Sequence, residues 1–203
     1  LAFKYRNPAM ILSDGAIGQM MEKVYLPEQK TRLSDQEVEK KYGNWATVGK
    51  KPERERNIIT SLALQSEIQE KHNFKLQAKY KAIQETEVRF EEIDCKDADY
   101  LFVAYGTSAR ICQKTIKIAR EKGYKVGLFR PITLWPFPSI ELNRLAPKLK
   151  GILSVEMSAG QMIEDIKLAV ESKVHVEHFG RFGGMIPSPD EVFKAFEDKL
   201  IKK

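Results

Sequence analysis

Apolar runs alternate with amphipathic stretches from residue 98 onward, and this pattern predicts a repeated strand–helix unit. The apolar runs are typical of strands that are covered on both faces, and they lie at residues 99–106, 125–129, 151–157 and 173–180. The amphipathic stretches predict helices at residues 108–123, 139–149, 161–172 and 188–200. Four such alternations predict an α/β fold with a doubly wound parallel sheet, right-handed connections and helices on both faces.

Residues at the helix ends support these boundaries. Thr107 or Ser108 can cap the first helix, which we expect to end at Gly123. Ser188 is in place to cap the last helix, with Pro189 at its first position and acidic residues in its first turn.

The pattern is less regular before residue 98. Residues 9–13 are a short apolar run that predicts a buried strand, followed by a turn and a short helix over residues 16–24. Residues 26–57 are polar and predict a connector with little regular structure. Residues 61–93 lack Gly and Pro, and their apolar spacing predicts one long amphipathic helix, which lies over its own domain or also contacts another subunit.

These patterns divide the chain into three parts. Residues 1–25 are predicted to be the tail of an upstream α/β domain, residues 26–97 a connector with the long helix, and residues 98–203 a complete α/β domain. The sequence begins at Leu1 without a signal-like segment, and we expect it to be part of a longer chain.

Composition narrows the class of protein. Of the 203 residues 42% are hydrophobic and 31% charged, and the 34 basic and 28 acidic residues are interleaved, with a net charge of +6. Because no basic face with aromatic residues emerges, we expect no nucleic-acid binding. No segment approaches the roughly 20 apolar residues of a membrane span. Cys95 and Cys112 form no metal-spaced pair, which favours a cytoplasmic protein.

The segment Gly127–Pro138 combines a strand with a stiff apolar continuation. Its three prolines, at positions 131, 136 and 138, must end the strand near Arg130, because proline cannot donate to a sheet. Apolar residues nevertheless continue through Trp135 and Phe137. We expect this segment to contact another domain or subunit, although it could instead cover the edge of its own sheet.

Four loops follow the predicted strands at the edge where parallel sheets bind ligands. Each leads to a helix N-terminus that could hold an anion, but none carries a GxGxxG or GxxxxGK[ST] pattern. Their glycines could equally serve tight turns. Glu156 ends the third strand, where general bases are often placed, and its other interpretations are a helix cap or an interface residue.

Two further groups suggest metals but are weak candidates. His175, Glu177 and His178 would split between the two faces of a strand, which favours a structural role. The stretch Ser13-Asp14-Gly15 with Asn44 is similar to the thiamine-diphosphate motif GDG followed by Asn, whose Asp and Asn hold Mg²⁺. Ser13 replaces its first glycine, so we interpret the match as coincidental.

Several motifs together resemble one family. They are DADYLFVAYGTSARI, KVGLFRPITLWPFP, LSVEMSAGQMIEDIKLAV and GRFGG, with ILSDGAIGQMMEKV and NIITSLALQSEIQEKHNFKLQAKY before them. They resemble the C-terminal half of the alpha subunit of 2-oxoacid:ferredoxin oxidoreductases, with the 2-oxoisovalerate type nearest and the 2-oxoglutarate type next. The resemblance covers almost the whole chain.

This resemblance implies a fold and a reaction. Residues 98–203 would resemble the transketolase C-terminal domain, and residues 1–25 would end a thiamine-pyrimidine-binding domain. The family converts a 2-oxoacid and coenzyme A into acyl-CoA and CO₂, with electrons passing to ferredoxin. Thiamine diphosphate with Mg²⁺ and iron–sulfur clusters supply the chemistry, and the resemblance implies that other subunits mainly carry them.

The resemblance also implies partners and sites. We expect beta and gamma subunits, a possible ferredoxin-like delta subunit and a possible homodimer. The chain itself would hold no catalytic, cofactor-binding or metal residue, and alone it would be inactive. Its expected motif and interface residues are Arg130, Pro131, Trp135, Pro136, Phe137, Glu156, Gln161, Arg181, Gly183 and Gly184.

Two alternatives remain open at this point. The chain could be a self-contained α/β module that binds an anion or nucleotide at a strand-end loop. It could also be a domain of a transketolase-like thiamine enzyme that does not use ferredoxin.

Overall fold

The computed structural model describes residues 1–46, 49–50, 52–53, 55–56, 58–60 and 62–202. It contains two compact units, Leu1–Met20 with Ala78–Lys203 and Met21–Gln77. Among the described residues, no helix is both long enough and apolar enough to cross a bilayer.

The helices and strands follow in this order along the chain. The helices of the N-terminal part are α1 (Ala2–Tyr5), α2 (Gly15–Gln19), α3 (Asp35–Tyr42) and α4 (Ser66–Thr86). They are followed by β1 (Phe90–Ile93), β2 (Tyr100–Val103), α5 (Gly106–Glu121), β3 (Val126–Pro131) and α6 (Ser139–Leu145). The chain continues with β4 (Gly151–Glu156), α7 (Met162–Val170), β5 (Val176–Gly180) and α8 (Pro189–Phe196). Short 3₁₀ and π turns extend α6 and α8, over Ala146–Lys148 and Glu197–Ile201.

The strands of the larger unit form one sheet in the order β1-β3-β2-β4-β5. The four strands β2 to β5 are parallel, and β1 pairs antiparallel with β3 at one edge. This confirms the predicted α/β class and parallel sheet. Because β2 connects to β3 on one side and β4 connects to β5 on the other, the direction of winding reverses between β2 and β4.

Alternate residues of the central strands supply two cores, one on each face of the sheet. Leu101 and Val103 of β2 pack with Leu142 and Ile166 from α6 and α7. Phe102 packs on the opposite face, in the core to which α5 and α8 contribute. This alternation is the period of two of a pleated strand, and it places helices on both faces as predicted.

The structure corrects the prediction of a buried strand at residues 9–13. The segment is extended, and Met10 and Ile11 are 83% and 95% exposed. Neither residue makes a backbone hydrogen bond within the described part of the chain. The apolar composition of this run favours burial, but the run pairs with none of the strands of the larger unit.

The predicted long helix over residues 61–93 is wrong at both ends, because α4 begins at Ser66 and residues 62–65 are not helical. Its first predicted residue, Ser61, lies outside the described residues, and the observed helix α4 ends at Thr86. Phe90–Ile93 form β1 instead, because aromatic and β-branched residues suit the open edge of β3.

The connector predicted over residues 26–57 contains a regular helix. In α3, the hydroxyl of Ser34 accepts a hydrogen bond from the backbone N–H of Glu37, whose side chain in turn bonds Ser34. This reciprocal cap satisfies two backbone donors at the start of the helix. Residues 47, 48, 51, 54 and 57 of the connector lie outside the described residues.

Candidate functional site

The candidate site lies at the carboxyl edge of the sheet, where winding reverses between β2 and β4. This point of reversal is the switch point of the sheet, the position where open α/β sheets bind ligands. A cavity of about 280 Å³, which we call the switch-point cavity, opens there. The residues that line it include Asp14, Tyr105, Thr107, Glu156, Ser158 and Gln161. The cavity therefore joins the loops after β2 and β4 to the N-terminal segment.

Glu156 closes the N-terminus of α7. Its carboxylate is 2% exposed and accepts hydrogen bonds from the backbone N–H groups of Gln161, Met162 and Ile163 at 2.9–3.0 Å. The hydroxyls of Ser154 and Ser158 donate to it as well, at 2.8 and 3.0 Å. Both carboxylate oxygens are fully engaged, so the structure assigns Glu156 the role of helix cap.

The electrostatics of Glu156 agree with this role. Burial raises the pKa of the carboxyl, but hydrogen bonds from the Gln161 N–H and the Ser154 hydroxyl outweigh burial, and the net pKa is lowered. A base with a lowered pKa and no free lone pair is poorly suited to proton abstraction at neutral pH.

Asp14 occupies the N-terminus of α5. The hydroxyl of Thr107 donates to Asp14 Oδ2 at 2.8 Å, and the N–H of Ile17 donates to Oδ1 at 2.9 Å. The prediction that Thr107 or Ser108 caps α5 is therefore wrong. The residue at the cap position is Tyr105, whose side chain makes no capping bond.

The motif around Asp14 thus has a structural explanation. Asp14 caps α2 and contacts α5, while Asn44 belongs to the other compact unit. Two of the helix N-termini proposed as anion sites are filled by carboxylates of the chain itself.

The loop after β3 combines buried and exposed apolar residues. Pro131 and Pro136 are buried, and Phe137 packs against the core beneath α6 and α7. Trp135 is 54% exposed, and its ring meets that of Tyr80 edge-on at 5.8 Å. The loop therefore packs partly against its own domain and leaves Trp135 half-exposed, and contact with another domain or subunit stays a prediction.

A second cavity lies beside this loop. It measures about 590 Å³ and is lined by the N-terminal segment, the end of α4 and residues 131–136. Glu87 at its wall is held by Lys4 Nζ at 2.6 Å and the Tyr5 hydroxyl at 2.7 Å. The hydrogen bond from Lys4 is the largest cause of the lowered pKa of Glu87.

The loop after β5 is open and apolar. Arg181 forms an ion pair with Glu191 at the start of α8, and Gly183 and Gly184 adopt left-handed backbone conformations that favour glycine. Phe182 is 66% exposed. Arg130, at the end of β3, pairs with Glu91 at 2.9 Å.

His178 of β5 and His175, which directly precedes β5, do not form a metal site with their neighbours. His175 Nε2 lies 2.9 Å from Glu177 Oε1, whereas His178 Nε2 lies 3.8 Å from Glu156 Oε1. Within the described residues, no group of three or more His, Cys, Asp or Glu side chains could hold a metal ion.

The cysteines lie in different cores. Cys95 packs on the α6/α7 face and Cys112 on the α5/α8 face. Burial raises the pKa of Cys95 to about 11, and burial also raises the pKa of Cys112. Because the two thiols lie on opposite faces of the sheet, they cannot bind one cluster together.

Comparisons of the sequence with known proteins find related oxidoreductase subunits over almost the whole chain. Residues 98–192 match the pyruvate:ferredoxin oxidoreductase core domain II. The ketoisovalerate oxidoreductase subunit VorB of Methanothermobacter marburgensis is 45% identical over 98% of this chain and 54% of its own length. The 2-oxoglutarate synthase subunit KorA of Archaeoglobus fulgidus is 29% identical over 98% and 55%.

A solved structure shares the fold. It is a 2-oxoglutarate:ferredoxin oxidoreductase from Magnetococcus marinus, with a TM-score of 0.59 and 17% identity over 68% of this chain and 24% of that chain. The chain spans about half the length of the curated relatives that it matches.

Proposed function

This chain belongs to the 2-oxoacid:ferredoxin oxidoreductase family, and we propose that it is part of a subunit of such an enzyme. The reaction would convert a 2-oxoacid, coenzyme A and oxidised ferredoxin into acyl-CoA, CO₂ and reduced ferredoxin. The match of residues 98–192 to a core domain of the family, within a relationship that extends over almost the whole chain, supports this proposal.

We propose 2-oxoisovalerate as the substrate. The observation that carries this choice is the difference in identity over the same span, 45% and 43% to two ketoisovalerate subunits against 29% or less to the 2-oxoglutarate subunits. No catalytic side chain is assigned within the chain, because its best placed candidate, Glu156, is engaged as a cap.

The described residues do not fit the family's cofactors. The carboxylates at the switch-point cavity, Asp14 and Glu156, are engaged in capping bonds, and the cysteines lie in separate cores. We therefore propose that thiamine diphosphate, Mg²⁺ and the iron–sulfur clusters are held by other parts of the subunit and by its partners.

We propose that this chain contributes contacts between the subunits of the complex. The distribution of its exposed apolar side chains supports this role. Residues 98–202 are described without a gap, and seven of their large apolar side chains are exposed. Five of these seven lie in the loops after β3 and β5, at the carboxyl edge: Ile132, Trp135, Phe182, Met185 and Ile186.

The opposite edge of the sheet has a different character. Exposed charged residues surround it: Lys96, Asp97, Glu121, Lys122, Lys125, Lys148, Lys150, Glu171 and Lys173. Because apolar side chains clustered on one face mark interaction sites, we propose that beta and gamma subunits, or a second copy of the subunit, contact the carboxyl edge.

We also propose that residues 1–25 continue an upstream domain of the full-length subunit, with residues 26–97 as a connector whose end supplies the edge strand β1 and residues 98–203 as the transketolase-like domain. The exposure of Met10 and Ile11 supports this, since contiguous exposed apolar side chains mark a surface that another part of a protein covers. The alternative of an anion- or nucleotide-binding module has less support, because carboxylates fill two of the helix N-termini it would use.

The test of the reaction uses the full-length subunit, produced anaerobically with its partners. Coenzyme A-dependent viologen reduction would be followed with 2-oxoisovalerate, 2-oxoglutarate and pyruvate. We expect a clear preference for 2-oxoisovalerate. An iron-replete, thiamine-loaded complex that reduces viologen with none of the three would contradict the proposed reaction.

The test of the interface compares two exposed apolar residues. Trp135→Ala changes the carboxyl edge, and Leu168→Ala changes a residue that is 76% exposed near the C-terminal end of α7. We expect Trp135→Ala alone to weaken assembly, measured by mass photometry over a dilution series. Equal dissociation of both variants and the parent complex would refute this interface.

A further inference from the structure

The segment Asp14–Met20 runs along the first turns of α5 and contacts it at both ends. Asp14 contacts Thr107, and a Cβ at Gly106 would lie 3.6 Å from both the Asp14 carboxylate and Ile17 Cδ1. One turn further along, Arg110 donates to the sulfur of Met20 at 3.9 Å. These contacts link residues that are about 90 positions apart in sequence and belong to the same compact unit.

Helix α5 lacks a cap of its own. Tyr105 occupies the cap position with extended backbone, and its side chain makes no capping bond, while Thr107 directs its hydroxyl to Asp14. The Asp14 carboxylate also lies close to the first residue of the helix, because a Cβ at Gly106 would be 3.6 Å from Asp14 Oδ2. A carboxylate from a remote segment therefore supplies the negative charge that a helix N-terminus favours.

The neighbouring helix α7 solves the same problem locally. Its first N–H groups are bonded by Glu156, which lies five to seven residues away on the preceding strand. The difference indicates that negative charge at the N-terminus of α5 depends on the docked segment Asp14–Met20, whereas α7 is capped from its own preceding strand.

We propose that Asp14 is a latch, a contact that fixes the segment Asp14–Met20 on α5 and so sets where the chain before it leaves the α/β domain. The segment directly before the latch is the extended, exposed run that contains Met10 and Ile11. A pinned end restricts the positions that this run can reach. The inference is independent of the proposed reaction, because it rests on contacts within one unit.

The latch also explains the chemistry of the switch-point cavity. Burial raises the pKa of Asp14, but hydrogen bonds from the Ile17 N–H and the Thr107 hydroxyl outweigh burial, and the net pKa is lowered. The carboxylate is therefore ionised at neutral pH and sits where α5 would otherwise attract an anion.

Hydrogen–deuterium exchange on the assembled complex of the full-length subunit tests the latch. The reporting amides are those of Ile17, which donates to the Asp14 carboxylate, of Gly18, which donates to the Asp14 backbone carbonyl, and of Thr107, whose hydroxyl donates to the Asp14 carboxylate. Asp14→Ala should raise their exchange about fivefold or more, the loss expected for a helix cap worth about 1 kcal/mol. Ser13→Ala is the matched control, because the Ser13 hydroxyl is exposed and bonds only locally.

A double-mutant cycle with Thr107→Val distinguishes a latch from two separate caps. If Asp14 and Thr107 act as one contact, Asp14→Ala/Thr107→Val will exchange no faster than Asp14→Ala alone. Asp14→Asn keeps the shape of the side chain and should give an intermediate effect, which makes the test possible if Asp14→Ala fails to assemble.

Two results would overturn the proposal. One is exchange at Ile17 and Thr107 that is the same in Asp14→Asn and Ser13→Ala. The other is strictly additive effects of the Asp14 and Thr107 substitutions. Viologen reduction by the same preparations reports on the proposed reaction separately, so failure of the latch and failure of the function are distinguishable.

Discussion

Replacing Glu156 by Gln tests how much the buried cap of α7 contributes to stability. Oε1 accepts from Ser154 and Ile163, and Oε2 accepts from Ser158, Gln161 and Met162. Whichever oxygen becomes an amide NH₂ will therefore face at least one backbone N–H. The substitution preserves volume, so packing changes little and the effect is electrostatic.

The expected magnitude follows from these contacts. A lost helix cap costs about 1–2 kcal/mol, and a buried donor left without an acceptor costs about 1–3 kcal/mol. Because one oxygen of Gln can keep its bonds, we expect Glu156→Gln to lower the free energy of opening of α7 by about 2–3 kcal/mol. Glu156→Ala removes both oxygens and should cost about 3–5 kcal/mol by the same reasoning.

Native-state hydrogen exchange of α7 in the assembled complex measures this free energy. A loss of about 2 kcal/mol corresponds to roughly thirtyfold faster exchange of the α7 amides. The control is Glu164→Gln on the exposed face of the same helix, for which we expect a change within about 0.5 kcal/mol. Exchange in Glu156→Gln that matches this control would refute the reasoning.

The pH dependence gives a second check on Glu156. Its pKa is lowered below the ordinary value of 4.5, so the folded state favours the ionised form. This contribution is present above pH 4.5 and is lost as the pH falls through the lowered pKa. The stability difference between the parent and Glu156→Gln should therefore shrink on acidification, and a difference that grows would contradict the assignment.

Three further predictions concern the core and the thiols. The Cβ of Gly180→Ala would overlap a backbone carbonyl of the loop after β4, and the substitution should lower the free energy of unfolding by about 2–3 kcal/mol in thermal or denaturant unfolding. Gly15→Ala is the control, because its Cβ meets open space and it should change stability by less than about 0.5 kcal/mol. Equal effects of the two substitutions would contradict the clash. Phe196→Ala removes a buried ring with aromatic centroids at 5.2, 5.4 and 5.6 Å, and should cost about 3–5 kcal/mol in the same assay, with less than about 1 kcal/mol inconsistent with the packing. Cys95 and Cys112, both buried with raised pKa, should resist maleimide at pH 7.5 until the protein is unfolded, and rapid labelling of the native complex would contradict their burial.

The sheet was predictable from sequence because its information is local. Each parallel strand is an apolar run, and each helix carries an apolar face, so the order of elements follows from nearby residues alone. The cap of α8 by Ser188 was likewise readable, since its reciprocal partner Glu191 is three residues away. Ser34 and Glu37 of α3 have the same spacing, and that signal could have identified the helix in the connector.

The features that sequence reasoning missed depend on distant partners. Asp14 and Thr107 are 93 residues apart, and neither pattern nor spacing reveals that one carboxylate serves the other's helix. Phe90–Ile93 continue a helical pattern, but the open edge of β3 draws them into a strand. The run around Met10 shows the converse case, because apolar composition indicates burial without identifying what covers it.

The two edges of the sheet together support the proposed role of this domain in assembly. In other open parallel sheets the carboxyl edge binds anions, because helix N-termini meet there. Here Asp14 and Glu156 place negative charge on the two N-termini at the switch point, which removes their attraction for an anionic group. The large apolar residues that remain exposed, Trp135 and Phe182 among them, favour a protein surface at this edge.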